Sequence, residues 1–158
     1  MLNQALIKKG KLKESTNSIF TPEFTNLKIV PVLLGLNGKP DSEFYNKMDK
    51  IWFRAKPEAK VWYGSRQYFK LGNVKETMVQ SDTWVVHCVC KDEKDKLSKE
   101  AVVSCFKLLS KMAIDEKASV HLSKFVLDEL SSLENFDLKT NIQELFLDKG
   151  ILVCTYTK

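Results

Sequence analysis

The chain has 158 residues, 44% of them hydrophobic and 28% charged, with a formal net charge of +5. That is the size and balance of one soluble globular domain spanning residues 1–158, and no apolar run approaches the roughly 18 residues that a bilayer span needs. The positive charge comes almost wholly from lysine, with Arg54 and Arg66 the only arginines, which argues against a specific nucleic-acid reader because such readers rely on arginine's planar fork.

The N-terminus, "MLNQALIKKGKLKE", has charges after a short apolar patch and no small-residue cleavage site, so no secretory signal is expected. "TNLKIVPVLLGLN" (25–37) is a continuous apolar run of strand length and reads as a strand buried on both faces. It ends in "NGKPDS", a turn whose Asp41 or Ser42 can cap a following helix. That helix is predicted to carry Phe44, Tyr45, Met48, Ile51, Trp52 and Ala55 on one face and to be closed by Pro57.

"KVWYGSRQYFKLGNVKETMVQ" (60–80) is broken by Gly64 and Gly72 and predicts one or two short strands, around Phe69 and over Val74–Val79. "DTWVVHCVC" (82–90) predicts a buried strand. The charged "KDEKDKLSKE" then leads into a helix capped by Ser98, with Val102, Cys105, Phe106, Leu109, Met112 and Ala113 on one stripe. "ASVHLSKFVL" (118–127) predicts a further strand. "FDLKTNIQELFLDKG" predicts a helix capped by Asp137, burying Leu138, Ile142, Leu145 and Phe146 and ending at Gly150, and "ILVCTYT" a terminal strand. Buried strands alternating with amphipathic helices imply right-handed crossovers. The expected fold is a three-layer α/β/α sandwich with a mostly parallel, mixed sheet, in which ligands bind at the carboxyl ends of the strands.

Chemistry is harder to find. His87 and His121 both lie inside predicted strands, and buried strand histidines are more often structural than catalytic. Cys88, Cys90, Cys105 and Cys154 all fall in apolar segments, the placement of reduced thiols in a cytoplasmic protein. In "HCVC" the alternation of a strand puts Cys88 and Cys90 on one face and His87 on the other, and no second Cys or His pair completes a four-ligand site. There is no "GxSxG", "GxGxxG" or P-loop, so neither a metal, a cofactor nor a catalytic set is expected.

The order of pieces nevertheless resembles the macro domain, the ADP-ribose-binding α/β/α module, and most of all its small single-domain members related to ADP-ribose-1″-phosphate phosphatases, a branch also found in phages. "LIKKGKL" is similar to that family's strand plus "GD[IL]", with Lys11 in place of the aspartate that receives the adenine amino group. "KIVPVLLGLNGK" is similar to its strand ending "VNxxG", "AKPEAKVWY" to its helix ending "fPe…Y", and "KLGNVKETMVQSDTWVVHCVC" to its "LGdv…i.va" strand pair. The helix before "ASVHL" and "LFLDKGILVCTYT" also fit. The resemblance implies candidate ligand contacts at Asn37, Gly38, His121 and Ser123.

Two segments depart from the family. "KPDSEF" replaces one glycine-rich loop, and "SKFVLDELSS" (123–132) replaces the "PRIGcGlaGG" loop that wraps a diphosphate. No glycine occurs between Gly72 and Gly150. Phosphate cradles need bare backbone amides and positive φ, whereas Val126, Leu127 and Leu130 are bulky and Asp128 and Glu129 repel anions. The leading expectation is a non-catalytic macro-domain-like protein with a degenerate pocket and a protein partner, acting in the cytoplasm (the host's, if phage-encoded). The alternative is a divergent ADP-ribose binder or ADP-ribose-derivative hydrolase. A third reading, an accessory protein for single-stranded nucleic acid, rests on Trp62, Tyr63, Arg66 and Tyr68. No membrane partner is expected.

Overall fold

The computed structural model describes residues 9–23 and 26–158. Its elements are, in order, β1 (Leu12–Ser15), β2 (Lys28–Gly35), α1 (Glu43–Met48), α2 (Ala55–Ser65), β3 (Val74–Gln80) and β4 (Thr83–Lys91), then α3 (Lys99–Glu116), β5 (Ser119–Leu122), α4 (Lys124–Ser131), α5 (Leu138–Leu145) and β6 (Val153–Tyr156). The strands form one six-stranded sheet in the order β1-β6-β5-β2-β4-β3. Only β3 is antiparallel to its neighbour. All eight positions of β2 and all four of β5 are buried, as continuous apolar strands covered on both faces must be.

The registers Lys28–Thr83, Lys28–Ser119 and His121–Cys154 put His87, Ser119, His121 and Tyr156 on a common face of the sheet. Helix α1 covers His87 there, with α2 packed beside α1. The opposite face carries Cys88 against Cys105 of α3, and α5 lies against α3 through Phe106 and Phe146, ring centroids 5.2 Å apart. The result is a mixed α/β/α sandwich. No helix among the described residues is long and apolar enough to cross a membrane.

Because β1 and β2 are both parallel to the β5–β6 pair, the connection between them must run back along the sheet, and its described residues, 16–23 and 26–27, are tied to β5 and β6. Tyr156 holds it by accepting from the Glu23 amide (3.0 Å), and Ser119 by donating to Asn26 Oδ1 (3.3 Å).

Several expected elements are redrawn. The helix expected from Asp41 or Ser42 to Pro57 is two helices separated by turns, and Pro57 sits in the first turn of α2, where a missing N–H leaves no intrahelical bond unmade. Residues 60–65 continue that helix beyond Pro57, and of the strands expected around Phe69 and over Val74–Val79 only the second forms. Of "LIKKGKL" (6–12), which is similar to the family's first strand, residues 6–8 lie outside the described residues. Lys11, matched above to the family's adenine-contacting aspartate, precedes β1 and so stands at the amino end of that strand, away from the carboxyl ends where ligands bind in such sheets. The strand expected over 118–127 ends at Leu122. Ser123 then accepts from the Val126 amide at 3.2 Å and caps α4, whose buried residues Val126 and Leu130 follow helical spacing. By contrast, Ser98 and Asp137 cap α3 and α5 as expected, and Gly150 takes φ 81° after the turn that follows α5.

Candidate functional site

The strand order reverses between β2 and β5, since β2 leads on to β4 and β3 on one side while β5 leads to β6 on the other. In an open parallel sheet the crevice at the carboxyl ends of such a pair is the preferred ligand position. Two segments leave the sheet there: Leu36–Ser42 after β2, and Ser123 with α4 after β5.

Asn37 and Gly38 stand in the first of these. The Asn37 side chain accepts from the Lys39 amide at 2.9 Å, and the Gly38 amide donates to Gly35 O at 3.0 Å, so the turn is held by its own groups. Gly38 has φ +70°, and a Cβ there would lie 2.1 Å from Tyr63 Cγ. Tyr63 of α2 thus lies flat on the glycine backbone. Arg66 stacks over the same ring (4.0 Å to the centroid) and donates to its hydroxyl at 3.0 Å.

Ser123 is fully buried as the cap of α4. Two residues on, Phe125 stacks on Phe44 of α1 with centroids 5.1 Å apart and an interplanar angle of 15°. Phe44 in turn meets Phe20 (6.1 Å), and Phe20 meets Trp52 edge-on (4.8 Å). A row of four aromatic rings therefore joins the segment after β1, the helix after β2 and the helix after β5. One turn further along α4, Glu129 pairs with Lys91 at the end of β4 (2.8 Å), a lysine whose side chain is only 8% exposed.

His121, the fourth candidate contact, points elsewhere. It is fully buried beneath the 16–27 crossover, with Ser119 Oγ 2.7 Å from Nε2 and the Tyr156 hydroxyl 2.5 Å from Nδ1. His87 is held likewise between Tyr45 (2.6 Å from Nδ1) and Thr77 (2.8 Å from Nε2). Since a neutral imidazole has one donor and one acceptor nitrogen, each ring both gives and receives a hydrogen bond. Burial depresses both histidines from 6.5 to about 3, with the nearby charge of Lys28 adding to the effect on His121. Ser119 and His121 have the spacing of a nucleophile and its base, but both are sealed under the crossover and the ring's second nitrogen faces a tyrosine. The thiols are equally withdrawn: Cys88 is pushed well up by its hydrogen bond with Cys105 and by burial, and Cys90 by burial, which is the opposite of what a reactive thiolate needs.

The structure thus brings Asn37, Gly38 and Ser123 to one end of the sheet and leaves His121 in the layer beneath. The ring pair Phe44–Phe125 and the Lys91–Glu129 link are the features that sequence reasoning missed. Ser123 between an apolar residue (Leu122) and another four places on (Leu127) is the one available signal, since those are the cap and staple positions of a helix start.

No family model matches the sequence, and no curated protein matches it. Solved structures do. A macrodomain protein from Streptomyces coelicolor has a TM-score of 0.83 at 19% identity, covering 94% of this chain and 99% of that one. A protein of unknown function from Bacteroides thetaiotaomicron follows at 0.77 and 21% identity, covering 93% and 98%. Thermosipho africanus DarTG in complex with ADP-ribose has a TM-score of 0.69 at 11% identity over 94% of this chain and 43% of that one. The fold is that of the macro domain, as the resemblance implied.

Proposed function

We propose that this chain is a non-catalytic protein of macro-domain fold whose ligand crevice is filled by its own side chains, and that it works by binding a protein partner. The observation that carries this reading is the Phe44–Phe125 stack, which ties α1, the helix that follows the first of the two segments at the switch point, to α4 in the second. A dinucleotide-like ligand would have to part these rings. It would also need free amides, and Ser123 Oγ already takes up that of Val126 in the first turn of α4.

A second reading, a divergent ADP-ribose binder or a hydrolase of ADP-ribose derivatives, is favoured by the likeness to a protein solved with ADP-ribose. In that reading Asn37 orients the distal ribose. Thermal melting with ADP-ribose separates the two. A ligand at 100 times its dissociation constant stabilises by about 2.7 kcal/mol, so a true binder melts several degrees higher. The partner reading predicts an unchanged melting temperature up to millimolar ADP-ribose, and a dose-dependent rise replaces it with the second.

A further inference from the structure

Beside the crevice, over the carboxyl ends of β1 and β6, lies an open groove of about 850 Å³. Its floor is apolar: Ile19, Phe20, Ile51 and Phe125. Its rim carries Lys47, Lys50 and Lys158 against Glu43 and the main-chain carboxylate of Lys158, so the excess positive charge comes from Lys47 and Lys50. The ammonium groups of these three lysines form no ion pair or hydrogen bond among the described residues, whereas the neighbouring Asp49 is taken up by Lys56 at 3.3 Å. Ile51 is 49% exposed although it lines the groove, so apolar surface stands open beside unneutralised positive charge.

We propose that this groove docks an acidic segment of a partner protein, with an apolar side chain seated between Ile51 and Phe125 and flanking carboxylates meeting Lys47, Lys50 and Lys158. The proposal rests on the partner-binding reading above and gives that partner its chemistry. The charge pattern decides the sign: the rim's ammonium groups outnumber its carboxylates around an apolar floor, which favours an anionic partner over a basic one. The floor decides the class. Phe125 already has a ring stacked on it and Phe20 has Trp52 against it, so the groove offers a concavity for one anchoring side chain, not a free platform for successive bases. Neither arginine of the chain lines it, and lysines act as point charges toward carboxylates without the bidentate geometry of phosphate or base readers.

The test is to select peptides from a random displayed library on the full chain and measure the winners by fluorescence anisotropy. The expected winners carry an apolar residue flanked by Asp or Glu. They bind saturably, weaken as salt screens the rim, and bind about ten-fold more weakly to the Lys47→Glu/Lys50→Glu variant, a loss of about 1.4 kcal/mol. Ile51→Asp, which keeps the lysines, weakens them as much, and circular dichroism checks that both variants fold. The proposal is overturned if nothing is enriched, if the winners lack acidic residues, or if oligo(dT) binds the groove in preference to them. A dimer in sedimentation that Ile51→Asp abolishes also overturns it, because the occupant is then a second copy. Peptides that bind but ignore both groove variants overturn the groove and leave the partner reading standing. A melting-temperature rise with ADP-ribose overturns the partner reading itself.

Discussion

Gly38 is the residue on which the turn after β2 depends. With φ +70° and the Tyr63 ring where a side chain would go, an alanine meets both a left-handed backbone and a steric overlap. Gly38→Ala is expected to cost about 2–4 kcal/mol in urea denaturation. Because the overlap is with one ring, adding Tyr63→Ala should recover at least about 1 kcal/mol relative to the sum of the single effects; strict additivity would show that Tyr63 does not rest on Gly38. The glycine was legible in the sequence as part of a turn. Its ring partner was not, since contact between residues 38 and 63 depends on how α2 is laid across the sheet. The histidines show the same limit: the sequence places His87 and His121 in buried strands, but their partners Tyr45 and Tyr156 lie 42 and 35 residues away.

Helix α4 is the element that sets this molecule's crevice. Its start rests on Ser123, so Ser123→Ala should destabilise the protein by about 1 kcal/mol. Native-state hydrogen exchange should speed up at the α4 amides while those of β5 hold. Equal acceleration in both would mean that the cap supports the sheet and not the helix. In the sequence, the apolar run from Ala118 to Leu127 hid the boundary, because periodicity alone does not separate a short buried strand from the start of a buried helix. Where an amphipathic stripe is long and capped, as in α3 with Ser98 or α5 with Asp137, pattern and structure agree. The missing glycines were also legible, and they pointed to a changed loop without indicating that the replacement is a helix.

For the whole molecule, the face beneath α1 and the crossover is built on two neutral imidazoles. Both are held near 3 against an ordinary 6.5. Below pH 6.5 the unfolded chain takes up protons on these rings and the folded chain does not, so the stability they contribute is complete above 6.5 and is lost as pH falls toward 3. At 1.36 kcal/mol per pH unit and group, going from pH 7 to pH 5 removes about 2 kcal/mol per histidine and about 4 kcal/mol for the pair. Urea midpoints at the two pH values measure this, and His87→Gln should halve the dependence; a midpoint flat over that range would mean that the rings are charged or solvated. The alternation of apolar strands and helices sufficed to predict the α/β/α layers, since that pattern has few packed solutions. The crossover through residues 16–27 left no trace in pattern, because hydrogen bonds from Ser119 and Tyr156 fix it from a distant part of the chain. Filling of the crevice by Phe44 and Phe125 is the central claim, and two-dimensional amide NMR during titration with ADP-ribose tests it most directly. The account predicts no saturable shift at Gly38 or across residues 123–132, whereas saturable shifts confined to those amides would contradict it.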